Sequence, residues 1–498
     1  MLRQIDRIHK VFLVVLSSVL LRLSFPNFNL EFLAWISLVP LFRALKDADY
    51  KEALALSYIC GLFFFGLVLF WLHHVSILGY CALILILSIF FGIFGIFLLY
   101  AKRSMLYAIF VIPAFWVFLE YVRSNLFTGF EWALLGHSQY MNLPIIQISD
   151  ITGAYGVSYL VMMVNIIIYN ILQGGFKKNL KSCFIVIFII VCVLGYGYFK
   201  LSIAETTKET LDISVVQGNI PQALKWDPDY KEAIYNIYTS LTKDAANDRP
   251  DLIIWPETAI PDIIEKDVLS RRLKPVAASA MAHLLIGAAS YGDSDEEIFN
   301  SAFLISDKGN ILKRYDKVHL VPFGEYIPFG RYAEFIRRFI DKPIGELTRG
   351  SEYTIFEFRK NLRFGVLICF EDIFSGLVRR SALKDADFMV NITNDAWFMK
   401  SSAPYQHAQS SVFRAVENRV PVVRAANTGL SCFIDKKGRI TDSVSVENGE
   451  ICVRGYKTGR INISPDNSFY KRFGDIFIFV CVIALILNGG YRWSKRYL

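Results

Sequence analysis

The strongest constraint on this chain is a series of apolar runs, each at or near the length needed to cross a bilayer. They fill roughly the first 200 residues and recur near the C-terminus. The candidates are Val11–Leu21, Leu30–Leu45, Ala53–Leu72, Leu78–Tyr100, Met105–Tyr121, Val157–Leu172, Cys183–Phe199 and Phe473–Leu487. Hydrocarbon offers no water to backbone N–H and C=O groups, so each run is expected to be helical. Val11–Leu21 follows Arg3, Arg7 and Lys10, as a signal peptide would. Arg22 and Pro26 then stand where a small-residue cleavage site is needed, so an uncleaved first helix is expected. The chain is 54% hydrophobic with a mean hydropathy of +0.38, too apolar for a soluble enzyme of 498 residues.

Charge tests the number of spans. With the N-terminus inside, the inner segments hold Arg3, Arg7 and Lys10; Arg43, Lys46 and Lys51; Lys102 and Arg103; Lys177, Lys178 and Lys181; and Arg492, Lys495 and Arg496. The short outer loops hold only Arg22 and Arg123. This asymmetry predicts eight spans with both ends in the cytoplasm, and a polar domain on the outer face between the seventh and eighth. The expected domains are a bundle of about seven helices over 1–204, a polar domain over 205–470, and a last helix with a cytoplasmic tail over 471–498. The net charge of +8 collects in loops that orient membrane proteins, which argues against a nucleic-acid partner.

Residues 120–156 are less apolar than their neighbours and carry Glu120, Arg123, Glu131, His137 and Asp150 among Trp132, Tyr140 and Tyr155. They read as an interfacial loop with aromatic anchors or as the polar floor of a headgroup cavity. The eight cysteines form no CxxC pair and no Cys/His cluster with metal spacing, so neither a metal nor another cofactor is expected. Cys432 and Cys452 are a possible bridge.

From Leu211 the pattern changes to short β-rich runs alternating with amphipathic helices, the signature of an α/β domain. Strands are expected at Leu211–Gln217, Leu252–Trp255, Leu284–Ala288, Arg363–Cys369, Phe388–Ile392 and Val422–Ala425. Ser301–Ile305 and Ile311–Asp316 read as a hairpin, and Tyr332–Phe339, Phe374–Lys384 and Tyr405–Asn418 as helices. GxGxxG, P-loop and GxSxG patterns are absent, which weakens nucleotide and serine-hydrolase readings.

Three reactive side chains stand where strands end: Glu257 after Ile253-Ile254-Trp255-Pro256, Lys317 after Arg314-Tyr315-Asp316, and Cys369 after Val366-Leu367-Ile368. A lone cysteine is usually an inert small hydrophobe, and a lone lysine a solvated one. Together the three supply a nucleophile, a carboxylate to take its proton and a cation for an oxyanion. That is sufficient for acyl transfer through a thioester.

In this order, and in Trp-Pro-Glu, Lys-x-x-Leu-x-Pro-Phe-Gly-Glu and Cys-x-Glu contexts, the three residues resemble the nitrilase superfamily. A nitrilase-like domain between the last two of eight spans resembles its membrane-embedded branch, the apolipoprotein N-acyltransferase family. Val216 to Gln222 with Lys225-Trp226, His319 to Pro328, Thr393 to Phe398 and Arg424 to Gly429 extend the resemblance over the chain.

The resemblance implies an α-β-β-α sandwich, no cofactor, and a location in the bacterial inner membrane with the sandwich on the periplasmic side. It implies a phospholipid acyl donor and a diacylated apolipoprotein acceptor, with Cys369 as nucleophile, Glu257 as proton acceptor, Lys317 as oxyanion stabiliser and Glu325 as a supporting carboxylate. Trp226, Phe370, Glu371, Asn394, Trp397 and Phe398 are expected to bind substrate. Asn394 and Asp395 also read as a helix N-cap. The chain departs from the family pattern at Met399, where glycine is expected, and at Phe370, where tyrosine is common. Two competing readings are a membrane-tethered amidase and a transporter with an outer regulatory domain.

Overall fold

The computed structural model describes residues 2–497, apart from 102–104, 264–265, 295–296, 329–345, 360–361, 448 and 465. The expected helix Tyr332–Phe339 and the loop cations Lys102 and Arg103 lie outside the described residues. The chain divides into two compact units, one of residues 1–73, 77–203 and 468–498, the other of residues 74–76 and 204–467.

The first unit is helical. Tyr50–Val68, Ile77–Tyr100, Ala154–Gly174 and Phe176–Ser202 are long and apolar enough to cross a membrane. Helices Leu2–Leu23, Met105–Asn125 and Ile476–Tyr497 contain most or all of three further expected runs. The run Leu30–Leu45 is not one helix. It forms a 3-10 turn, Glu31–Trp35, and a six-residue helix, Val39–Ala44, with Pro40 in the first turn of the latter. The interruption is stapled by buried Asn165, whose Oδ1 accepts from the Leu38 amide at 2.8 Å and whose Nδ2 donates to the Ala34 carbonyl at 2.8 Å. Such internal partners are what permit irregular backbone in apolar surroundings.

The polar groups of 120–156 are interior staples. Glu120 Oε1 accepts from the Leu135 amide at 2.7 Å, and Arg123 donates to the Trp132 carbonyl at 2.8 Å. Asp150 accepts from the Tyr196 hydroxyl and pairs with Lys200 at 3.1 Å.

Among the described residues, the second unit holds thirteen strands in two sheets. They are β1 Glu209–Gln217, β2 Leu252–Ile254, β3 Ile260–Ile263, β4 His283–Tyr291, β5 Ile298–Ile305, β6 Ile311–Asp316, β7 Ile355–Phe358, β8 Leu362–Ile368, β9 Phe388–Thr393, β10 Val422–Ala426, β11 Cys432–Ile434, β12 Ile440–Ser443 and β13 Gly455–Ile463. One sheet runs β13-β1-β2-β4-β5-β6, with β3 also on β4, and the other β12-β11-β10-β9-β8-β7. The sheets meet through β1 with β10 and β5 with β8. Helices Lys231–Ala246 and Lys266–Ala280 accompany the first sheet, and Ser375–Ala382 and Ala403–Asn418 the second. The layers are therefore α-β-β-α.

Each sheet is buried on both faces, which is why its central strands read as continuous apolar runs. Val216, Ile253, Trp255, Leu284 and Ile286 pack with Ile234 and Tyr238 of helix Lys231–Ala246. Trp255 stacks on Tyr238 at 5.1 Å and donates its indole N–H to Thr242 at 2.8 Å, so the residue two before Glu257 is locked on both counts.

Candidate active site

Adjacent strands deliver the reactive groups to one place. β2 ends at Ile254, and a turn through Trp255-Pro256 carries Glu257. β5 and β6 are antiparallel with Ser301 opposite Asp316, which sets Asn300 beside Lys317, and the Lys317 amide donates to the Asn300 carbonyl at 2.9 Å. β8 and β9 are parallel with Ile368 opposite Ile392, so Cys369 and Thr393 leave the second sheet side by side.

Lys317 is 1% exposed, and its Nζ lies 2.8 Å from Glu325 Oε1 and 3.6 Å from Glu257 Oε1. Burial disfavours its charge, but the two carboxylates outweigh burial and hold the ammonium well above its ordinary range. Asn300 Nδ2 donates to Glu257 at 2.7 Å and reaches Glu325 at 3.3 Å. The second oxygen of Glu257 accepts from the Asn394 amide at 2.9 Å, and that of Glu325 from the Val321 amide at 2.7 Å. Buried Lys225 donates to the Glu257 carbonyl at 2.9 Å, and burial lowers its ammonium to about 8.

Cys369 is half-buried and has φ +54°, the left-handed region that disfavours side chains with a Cβ. Burial pushes its thiol well above the ordinary range, and the charges of Glu257 and Asp395 act the same way. The Lys317 ammonium and the Thr393 hydroxyl pull it down. The resting group is thus a thiol, and a base is needed to make it a nucleophile.

Glu371 points into the protein. It is fully buried, and its two oxygens accept from the Tyr315 hydroxyl and from the amides of Val318, His319 and Ile368 at 2.7–3.0 Å. It ties the Lys317 segment to the Cys369 turn. Burial pushes its carboxyl up to about 7 against these donors.

Asn394 is also engaged inward, its amide on Glu257 and its side chain on Gln222 at 2.8 Å and Asn427 at 2.9 Å. It caps no helix through its side chain, and the cap residue of Ala403–Asn418 is Ser402, so the capping reading of Asn394 and Asp395 fails. Asp395 accepts from Thr393 and faces His407 instead.

Trp226 and Trp397 are exposed, at 53% and 37%, while Phe398 is half-buried. Phe370 is half-buried, its ring packed on Phe374 at 5.0 Å. Met399 has φ +51°, a left-handed backbone that favours glycine. Cys432 and Cys452 are free thiols. Asn300, Asp372 and His407 carry no mark in the sequence, and Lys225 and Arg424 stand only inside motifs of the resemblance, with no role assigned. They come together from strand, turn, loop and helix only in the folded domain.

An arrangement of one thiol, one adjacent carboxylate and one buried ammonium can perform acyl transfer, with the carboxylate moving protons and the ammonium facing a developing oxyanion. Residues 17–167 match the apolipoprotein N-acyltransferase N-terminal domain, and residues 212–455 match the carbon-nitrogen hydrolase domain. A protein of Geobacter metallireducens named apolipoprotein N-acyltransferase is 36% identical over 97% of this chain and 95% of its own length. The chain belongs to the apolipoprotein N-acyltransferase family. A Pasteurella multocida member is 29% identical over 97% of this chain and 96% of its own. Among solved structures, a Saccharomyces cerevisiae member of the nitrilase superfamily is 19% identical with a TM-score of 0.40, covering 53% of this chain and 93% of its own. As a member of this family the chain is an acyltransferase, built from a helical membrane-type region and a nitrilase-like α/β domain.

Proposed function

We propose that the enzyme moves an acyl chain from a phospholipid to the N-terminal α-amine of an S-diacylglyceryl-cysteine apolipoprotein, through a thioester on Cys369. The observation that carries this reading is the buried Glu257–Lys317–Glu325 group acting on a thiol that burial keeps protonated.

Glu257 takes the thiol proton as sulfur attacks the ester carbonyl. Lys317 faces the resulting oxyanion, and the backbone N–H of Phe370 donates to it. The oxyanion collapses, the C–O bond breaks, and the lysophospholipid oxygen leaves with the proton from Glu257. The acceptor amine then attacks the thioester carbonyl and gives a proton to Glu257; the C–S bond breaks, and the Cys369 sulfur leaves with that proton, restoring the thiol and the carboxylate. Glu325 and Asn300 hold Lys317 and Glu257 in place. Exposed Trp226 and Trp397 and half-buried Phe398 and Phe370 contact the lipid chains.

The helical region crosses the membrane eight times, the broken segment Glu31–Ala44 counting as the short second crossing. The loop charges put both ends in the cytoplasm and the α/β domain on the periplasmic face of the inner membrane. Both substrates reside in that bilayer.

Purified protein mixed with phospholipid and no acceptor is expected to gain one acyl mass on Cys369, removed by hydroxylamine. Cys369→Ala is expected to abolish both the adduct and N-acylation of a diacylated lipopeptide while remaining folded. Absence of the adduct, or activity in Cys369→Ala, would overturn the thioester route. Release of free fatty acid alone would favour hydrolysis over transfer.

A further inference from the structure

A row of buried polar groups behind the nucleophile is left unused by these steps. The Thr393 hydroxyl donates to Asp395 Oδ1 at 3.2 Å, and the β8–β9 register sets Thr393 beside Cys369, whose thiol its hydroxyl pulls toward ionisation. His407 Nδ1 is 3.0 Å from the same Asp395 oxygen. His407 Nε2 is 2.8 Å from Asp372 Oδ1 and 3.2 Å from the Cys369 carbonyl. The second Asp372 oxygen accepts from Ser411 and Arg424. Asp372, Asp395 and Arg424 are fully buried, and His407 is 1% exposed.

The protonation state follows from counting donors. Each ring nitrogen of His407 faces a carboxylate, so both nitrogens must carry protons. Burial disfavours the imidazolium, but the Asp372 charge outweighs it. Thr393 has a single hydroxyl proton and two acceptors, the sulfur and Asp395 Oδ1. A carboxylate already engaged by an imidazolium competes weakly for that proton. The hydroxyl is then free to turn to the sulfur as its negative charge develops.

We propose that Thr393, Asp395 and His407 form a buried device that sets how readily Cys369 ionises, by deciding whether the Thr393 hydroxyl proton serves the carboxylate or the sulfur. These are positioning residues. The inference rests on Cys369 being the nucleophile and adds a layer of control to it. The other charged groups acting on the sulfur or coupled to it are Glu257 beyond β2, Lys317 beyond β6, and Lys225 from the turn before Trp226.

The device predicts opposite signs for neighbouring substitutions. His407→Gln removes the cation, leaves Asp395 unopposed and retains the hydroxyl proton on the carboxylate, so the thiol ionises at higher pH. Thr393→Val removes the donor and moves ionisation the same way. Asp395→Asn removes the competing charge and moves it to lower pH. Thr393→Ser keeps the hydroxyl and restores the parent behaviour.

The experiment is iodoacetamide alkylation of full-length protein in detergent over about pH 6–10, scored on the Cys369 peptide by mass spectrometry. Midpoint shifts of about one unit are expected, giving about tenfold slower alkylation below the midpoint for Thr393→Val and His407→Gln and faster alkylation for Asp395→Asn. An unmoved midpoint in Thr393→Val, or an upward shift in Asp395→Asn, would overturn the proposal, since general loosening of the core would move all variants alike. The Thr393→Val and Thr393→Ser pair decides the matter even if the charged variants fail to fold. N-acylation by Cys369→Ala would sink the nucleophile reading, whereas unmoved midpoints with an inactive Cys369→Ala would sink the device alone.

Discussion

Replacing Lys317 by methionine should separate what the buried cation does for the fold from what it does for the reaction. Its Nζ lies 2.8 Å from Glu325 and 3.6 Å from Glu257, with only 1% of its surface exposed. At an effective dielectric of about 20, each contact is worth roughly 5 kcal/mol before desolvation is counted. Desolvating the three charges offsets most of that, and the measured cost of breaking a buried pair is about 3–5 kcal/mol. For a domain of this size the loss corresponds to a melting temperature lower by about 10 °C. Adding Glu325→Gln removes one of the two stranded carboxylates and should recover about half of the loss by ordinary charge bookkeeping. Catalysis should behave differently. Loss of an oxyanion donor lowers the acylation rate by about 10²–10³, and nothing in the double variant replaces it. The assay pairs thermal melting in detergent with single-turnover acyl-enzyme formation followed by intact mass. A double variant that regains the acylation rate along with stability would refute the oxyanion role. An unshifted melting temperature in Lys317→Met would refute the buried-cluster energetics.

Glu371→Gln must leave at least one of four donors facing an NH2 group, at a cost of about 1–3 kcal/mol; a melt should register this without a rise in KM for the donor lipid. A raised KM with an unchanged melt would instead mean direct lipid contact. His407 should make the α/β unit pH-sensitive on the alkaline side. Its folded value of about 9 stands above the ordinary 6.5, so its contribution is complete below about pH 6.5 and disappears as pH rises through 9. The alkaline fall in melting temperature should be absent in His407→Gln. At Gly429 an added Cβ would lie 2.0 Å from Asp395 Oδ2. Gly429→Ala should therefore destabilise by about 1–3 kcal/mol and displace Asp395, readable as a lower melt and a shifted Cys369 alkylation midpoint.

Glu257, Lys317 and Cys369 were legible because each stands at or just past the end of a strand, and strand ends in α/β proteins are where side chains reach a shared edge. The groups that complete the site were not. Asn300 lies within β5 in an ordinary strand pattern, and only its pairing with β6 sets it beside Lys317. Asp372, His407 and Arg424 come from three separate elements, and nothing in the sequence shows that they meet. Glu371, two residues past Cys369, reads from the sequence as a substrate contact, while its inward hydrogen bonds have no sequence signal. Its occupied oxygens depend on the Tyr315 to His319 segment, more than fifty residues earlier in the chain. Hydropathy likewise marked Leu30–Leu45 as apolar but could not report its interruption, because the staple is Asn165 on another helix.

The pairing of β1 with β13 bears on how the protein is made. Their register joins Glu209 to Ile463 and Gln217 to Gly455, and Ser214 contacts Thr458 across 244 residues of sequence. At about 5–20 residues per second, β1 waits roughly 12–50 s for the strand that closes its edge. During that interval the nascent domain displays an unpaired strand, an aggregation hazard that chaperoning at the membrane must cover. The same delay works as a safeguard: the last strand of the catalytic sheet is made only after Cys369, Glu257 and Lys317 have all been synthesised. A ribosome that stalls before residue 455 leaves a chain with every side chain proposed for catalysis and an unfinished sheet.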